Sequence, residues 1–169
     1  TGPRQPGIEA ALARNILTTD DGRDHPMLAG RPPVWTAPAM HSSVVTTLPP
    51  GARVLARNAD TPVEAAEIRH GNGVFWGVQY HPEITLAEVA ASLRRQASDL
   101  VDAGLATSIK AVEDHADRLQ ALSDDPARTD LAWQLGVDDQ VTDTANRMRE
   151  IGNFLSALEG DALRLPHGR

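Results

Sequence analysis

An α/β fold is predicted for this chain of 169 residues, and three observations predict it. Up to about residue 83 the sequence reads as short strands separated by turns, and beyond it apolar residues recur at three- to four-residue spacing, as on amphipathic helices. Ten of the 12 prolines lie at or before Pro82. Charge shifts at the same place: residues 1–83 carry 7 basic and 8 acidic groups, residues 84–169 carry 9 and 15.

The first predicted strand is Ala13 to Thr19, closed by the turn residues Asp20-Asp21-Gly22. A second begins at Val34-Trp35, bounded by Pro32-Pro33 and Pro38. After the turn Pro49-Pro50-Gly51, Arg53 to Asn58 forms a third. Val63 to Arg69 and Val74 to Tyr80 flank His70-Gly71-Asn72-Gly73, where glycine and asparagine tolerate positive φ, the clearest hairpin in the chain. Thr85 followed by Glu88 is a capping-box signature. It opens a helix through Leu86, Val89, Leu93, Ala97 and Leu100 that ends near Gly104. Leu105, Ile109, Val112, Ala116, Leu119 and Leu122 predict the next. Asp125-Pro126 predicts an N-cap with proline at the first helical position, in a short helix closed by Gly136. Met148, Ile151, Leu155 and Leu158 mark the last helix, and the chain is expected to fray from Leu165 to Arg169. Packing is the expected role of every one of these stripes.

Composition excludes several classes. A net charge of −7, with 16 basic and 23 acidic residues, argues against a duplex nucleic-acid binder. No apolar run approaches a membrane span of roughly 18–20 residues. The absence of cysteine removes disulfides, thiolate metal sites and a cysteine nucleophile from this chain itself. His25, His41, His70 and His81 with Glu83 are metal-capable residue types, but no H-E-x-x-H pair occurs, and no metal site is expected. Trp35, Trp76 and Trp133 are too scattered for a base-stacking platform, and Trp76 reads as core or pocket wall.

The stretch that carries chemistry is Gly77-Val78-Gln79-Tyr80-His81-Pro82-Glu83. Residues i and i+2 of an extended chain share a side, and Pro82 restricts both itself and His81. His81 and Glu83 are therefore held together, so that the carboxylate fixes one imidazole nitrogen and leaves the other as a general base. A cysteine deprotonated by His81 would complete such a unit. On spacing alone, H-x-E is weak evidence, and a loop histidine beside a surface carboxylate is the better fit.

The wider sequence resembles the class I glutamine amidotransferases, whose motif is G-[VI]-Q-[FY]-H-P-E. His25-Pro26-Met27-Leu28-Ala29-Gly30 looks like the segment before the strand that leads to their glutamine site. His41 to Asn58, with Leu48-Pro49, Gly51 and Val54-Leu55-Ala56, looks like their H-x-D-x-V…LP-x-G…VLA stretch. Val63-Glu64-Ala65-Ala66-Glu67-Ile68 resembles the next strand. The resemblance runs from about Ile8 to Glu83 and is nearest the GMP-synthase-like branch. The tail, with Asp130-Leu131-Ala132-Trp133-Gln134-Leu135-Gly136, looks like an extension carried by some bacterial members.

The resemblance implies a partial flavodoxin-like amidotransferase domain in residues 1–83, with residues 84–169 as a helical extension closing and flanking it. It implies ammonia release from L-glutamine by a Cys–His–Glu triad, with His81 as base and Glu83 as its orienting acid. His41 and Ser42 would line the glutamine-binding edge, more through backbone than imidazole. No cofactor is implied, the setting is cytoplasmic, and an ammonia-accepting synthetase domain or subunit is the expected partner; a homodimer through the helical tail is a second. Two departures stand out. Ser43 occupies the place of the usual aspartate, and the G-x-C-x-G elbow is absent, so the chain is expected to be the C-terminal part of a larger enzyme and inactive alone. The alternative is a non-catalytic interaction module derived from an amidotransferase. An upstream G-x-C-x-G would separate the two.

Overall fold

The computed structural model describes residues 1–5 and 7–159, so the predicted fraying at Leu165 to Arg169 lies outside the described residues. Among the described residues, seven strands precede seven helices. β1 is Gly2–Pro3, β2 Glu9–Thr18, β3 Val34–His41, β4 Ser43–Val44, β5 Ala52–Arg57, β6 Ala65–His70 and β7 Gly73–Val78. A short 3-10 turn, Pro26–Leu28, lies between β2 and β3. Five strands form one sheet in the order β3-β2-β5-β6-β7, and β1 pairs separately with β4. All the pairings are antiparallel. The two-residue link Gly71-Asn72 permits only this direction between β6 and β7, because a parallel pair needs a crossover of about a dozen residues or more. In that hairpin His70 faces Gly73, and Gly71 supplies the positive φ of 56°. The sheet curls. The chain just past β7 returns to β3 through a hydrogen bond from the His81 N–H to the Pro38 carbonyl at 2.7 Å.

The strand expected at residues 13–19 starts earlier, at Glu9, and carries a bulge between Ala13 and Ile16. Asn15 adopts φ 51° there, a conformation asparagine tolerates better than most residues. The neighbouring Arg14 reaches the carbonyls of Gly136 and Leu135 at 2.7 and 2.6 Å. A cation thus meets the negative end of a helix. After the strand, Gly22 is required by close approach, since a Cβ there would sit 2.0 Å from the Leu55 carbonyl oxygen.

The helices are α1 Leu86–Arg95, α2 Ala97–Asp102, α3 Ile109–Asp124, α4 Thr129–Leu135, α5 Asp139–Thr142, α6 Thr144–Arg147 and α7 Arg149–Glu159. The Thr85–Glu88 capping box forms as expected. The predicted helix to Gly104 is broken at Gln96 into α1 and α2. Leu105 falls outside α3, which Ser108 caps instead by accepting from the Ala111 N–H. Asp125-Pro126 does not open α4 either. Asp125 accepts from the Ala127 N–H in a turn, and Arg128 is the N-cap. Gly136 closes α4 at φ 61°. In α7 the residues turned inward are Glu150 and Ala157, whereas Leu155 and Leu158 are exposed, contrary to the packing role expected for that stripe.

Two cores result. Ala13, Ile16, Trp35, Ala37, Leu55, Ala65 and Tyr80 fill the inside of the curled sheet with Met27 and Leu28. Ala11 and Leu12 of β2 pack on the other side against Leu86, Val89, Leu93, Val112, Leu119 and Leu122 of α1 and α3. Fully burying one such leucine contributes roughly 1.5–3 kcal/mol. Among the described residues no helix is long and apolar enough to cross a membrane.

Candidate functional site

The His81 segment is held by its neighbours rather than by a strand. The Gln79 N–H donates to the Glu64 carbonyl at 2.8 Å, and the His81 N–H to that of Pro38. Tyr80 and Pro82 are buried, while the His81 side chain between them is 40% exposed. Its Nδ1 lies 2.9 Å from Glu83 Oε1. A carboxylate only accepts, so Nδ1 carries the proton and, in the neutral ring, Nε2 is the basic nitrogen. Nε2 has no hydrogen-bond partner among the described residues. The expected same-sided pairing of His81 and Glu83 is therefore present.

Tyr80 fixes this segment from beneath. Its hydroxyl donates to Glu150 Oε1 of α7 at 2.9 Å. Burial, and then the Glu150 charge, push the phenol well above its ordinary range. Arg31 grips the same carboxylate through two nitrogens at 2.6 and 2.7 Å, and also reaches Gln140 and the Arg147 carbonyl. The helical half is thus tied by buried charge to the residue next to His81. Beside Pro82, Met27, Trp76, Val78, Ile151 and Phe154 line a hollow of about 190 Å³. The expectation that Trp76 is a wall residue holds, and Trp133 is exposed.

His25 faces the core. Its Nδ1 accepts from the Met27 N–H, so Nε2 donates to Glu67 at 3.0 Å. Burial holds its pKa below the ordinary value. Glu67 is a hub, 1% exposed, bonded also by Arg53, Arg69 and Trp76. Burial alone would raise its pKa. The donors, led by Arg69 and Arg53, outweigh that and hold it far below the carboxylate range.

His41 points inward, not toward an open edge. Its Nε2 lies 2.8 Å from Glu9 Oε2 and its Nδ1 3.0 Å from the Ser43 carbonyl. Ser42 is exposed, and its carbonyl accepts from the Arg4 N–H. Any contact that His41 makes outward is therefore through its main chain. Glu9 is bonded further by Asn58 at 2.9 Å and by Thr61 at 3.2 Å, and Asn58 also reaches Glu64 at 2.8 Å. Sequence reading did not single out Glu9, Glu64, Glu67 or Glu150. The available signal was a carboxylate inside an otherwise apolar strand, as at Glu64 and Glu67 in Val63 to Ile68.

Burial and the adjacent Glu9 charge push the Glu64 carboxyl up to about 8. Its folded value lies above its unfolded one, so its stabilising contribution is complete below the ordinary carboxylate range and is lost as the pH rises through about 8. Denaturant unfolding should show stability falling between about pH 4.5 and 8, and Glu64→Gln should flatten that slope. An unaltered slope would contradict the assignment.

The family model described as Peptidase C26 matches residues 12–83. Over these residues the chain is similar to the class I glutamine amidotransferase-like family. Within that family the similarity is GMP-synthase-like: a glutamine-hydrolyzing GMP synthase subunit from Thermococcus kodakarensis is 39% identical over 67 residues, 40% of this chain and 33% of that protein. A gamma-glutamyl-L-1-hydroxyisopropylamide hydrolase from a Pseudomonas species is 37% identical over 153 residues, 89% of this chain and 50% of that protein. The chain spans half or less of the length of these curated relatives. The crystal structure of SMU.1228c superposes with a TM-score of 0.59 at 20% identity, covering 93% of this chain and 55% of that one. The mixed α/β class holds, and the architecture agrees with part of a flavodoxin-like domain.

Proposed function

We propose that His81 and Glu83 are the base and orienting carboxylate of a Cys–His–Glu triad that cleaves the γ-carboxamide of L-glutamine. The 169 residues contain no cysteine, so the nucleophile comes from polypeptide outside them. The observation that carries the reading is the 2.9 Å contact between His81 Nδ1 and Glu83, with Nε2 left unpartnered. Nε2 takes the thiol proton, and the thiolate sulfur bonds to the carboxamide carbon. The imidazolium returns that proton to the departing nitrogen as the C–N bond breaks, releasing ammonia and leaving a γ-glutamyl thioester. Water, deprotonated by the same nitrogen, then cleaves the thioester to glutamate and free thiol. Glu83 keeps Nδ1 protonated throughout and supports the imidazolium. In this reading residues 1–83 are the catalytic part and residues 84–169 flank it, with the main chain of His41 and Ser42 at the substrate's edge. Ammonia passes to an accepting synthetase domain or subunit, and the assembly works in the cytoplasm.

A second substrate, an N-substituted γ-glutamylamide, is favoured by one observation. The alignment with the Pseudomonas hydrolase is too long to end at residue 83 and reaches the helical half, whereas the GMP synthase matches cover 40% and 44% of the chain. The same triad serves, with an alkylamine leaving in place of ammonia. In the test, the chain alone and the chain joined to a segment bearing a G-x-C-x-G elbow are given L-glutamine or an N-alkyl γ-glutamylamide. The chain alone should release neither amine above buffer background, and the joined form should release one or both. Silence from the joined form with both substrates would favour a non-catalytic interaction module.

A further inference from the structure

We propose that Glu9, His41 and Glu64 form a binding site for a divalent cation of the zinc type. Each offers one ligand atom, and the three atoms lie within 4.8 Å of one another. Three strand ends bring them together. Glu9 opens β2, His41 closes β3 directly opposite it in register, and Glu64 immediately precedes β6.

The hydrogen bonding leaves a place for a cation. Both nitrogens of His41 face acceptors, the Ser43 carbonyl on one side and Glu9 Oε2 on the other. A neutral ring has one donor and satisfies only one of them. With Nδ1–H given to the carbonyl, Nε2 presents its lone pair toward Glu9, and either a proton or a metal ion must lie between them. The Nδ1–carbonyl bond is the outer contact that orients metal-bound histidines. Glu64 is fully buried; its Oε2 receives no N–H or O–H donor from another residue and faces the Glu9 carboxylate. Its other oxygen is held by Asn58, which also holds Glu9, so the amide sets both carboxylates around one point. Thr61 and Arg4 complete the outer contacts to Glu9.

One imidazole and two carboxylates suit zinc, with a fourth position open, better than magnesium, which prefers an all-oxygen octahedron. The ion would tie together β2, β3 and the lead into β6. It would also steady Pro38 of β3, which accepts the His81 N–H. The proposal does not depend on the catalytic reading.

The test is calorimetric titration of the chelator-treated chain with zinc chloride at neutral pH, with bound metal counted after gel filtration. One zinc per chain is expected, with a melting temperature raised by roughly 5–10 °C at a hundredfold excess over Kd. Glu64→Gln and His41→Gln should each weaken binding at least about 10- to 100-fold, while His81→Gln leaves it unchanged. Glu64→Gln preserves shape and the Asn58 bond, so it decides the matter if the His41 variant fails to fold. Magnesium chloride at equal concentration should not compete. Absence of saturable binding, binding that survives Glu64→Gln, or binding lost with His81→Gln would overturn the proposal.

Discussion

Replacing His81 by alanine in a cysteine-bearing form of this protein should lower γ-amide hydrolysis by about 10⁴-fold or more, because members of a triad act as a unit. In the proposed triad the imidazole carries the thiol proton, and the segment holds no second imidazole. Folding should survive. His81 and Glu83 are both substantially exposed, and exposed pairs add little to stability. The backbone N–H that anchors the segment to Pro38 is kept in the variant. Glu83→Gln should cost less, about 10²–10⁴-fold, because the amide can still hold Nδ1–H but does not support the imidazolium. Steady-state ammonia release, with circular dichroism as the folding control, gives both numbers. A His81→Ala variant within tenfold of wild type would remove this histidine from the mechanism.

Glu150→Ala should produce the largest loss of stability, about 3–5 kcal/mol. The Arg31–Glu150 pair is almost wholly buried, at 1% and 4% exposure. Removing the carboxylate strips the guanidinium of its main counter-charge and leaves the Tyr80 hydroxyl without an acceptor. Gln140 and the Arg147 carbonyl still bond Arg31, which places the effect inside that range rather than above it. For a domain of this length a melting temperature lower by about 10 °C follows. Tyr80→Phe, which removes only the hydroxyl, should cost about 1 kcal/mol. An unchanged melting temperature in Glu150→Ala would mean that the helical half is not held through this contact.

How much of this was readable beforehand depended on whether the information was local. The 70–73 hairpin and the Thr85 capping box are specified by residues within a few positions of one another, and both form as read. The pairing of His81 with Glu83 is local as well, since one proline separates them. Errors arose where tertiary contacts compete with local signals. The apolar stripe through Ala97 and Leu100 continues past Gln96, but the helix breaks there. Asp125-Pro126 has the chemistry of a helix start, yet the chain turns once more before α4. The buried carboxylates were least legible. Glu9 meets His41 across 32 residues, and Glu150 meets Arg31 across 119. No spacing rule connects positions that far apart, and only the folded sheet and α7 bring them together.

The central claim is that His81 serves a cysteine thiolate, and the covalent step tests it most directly. The cysteine-bearing form, mixed with L-glutamine and quenched in acid during turnover, should show by intact mass a γ-glutamyl adduct on that cysteine. The adduct should form and decay in step with ammonia release, and should be lost in His81→Ala. Ammonia release without any adduct, or an adduct that forms at the wild-type rate without His81, would contradict the account.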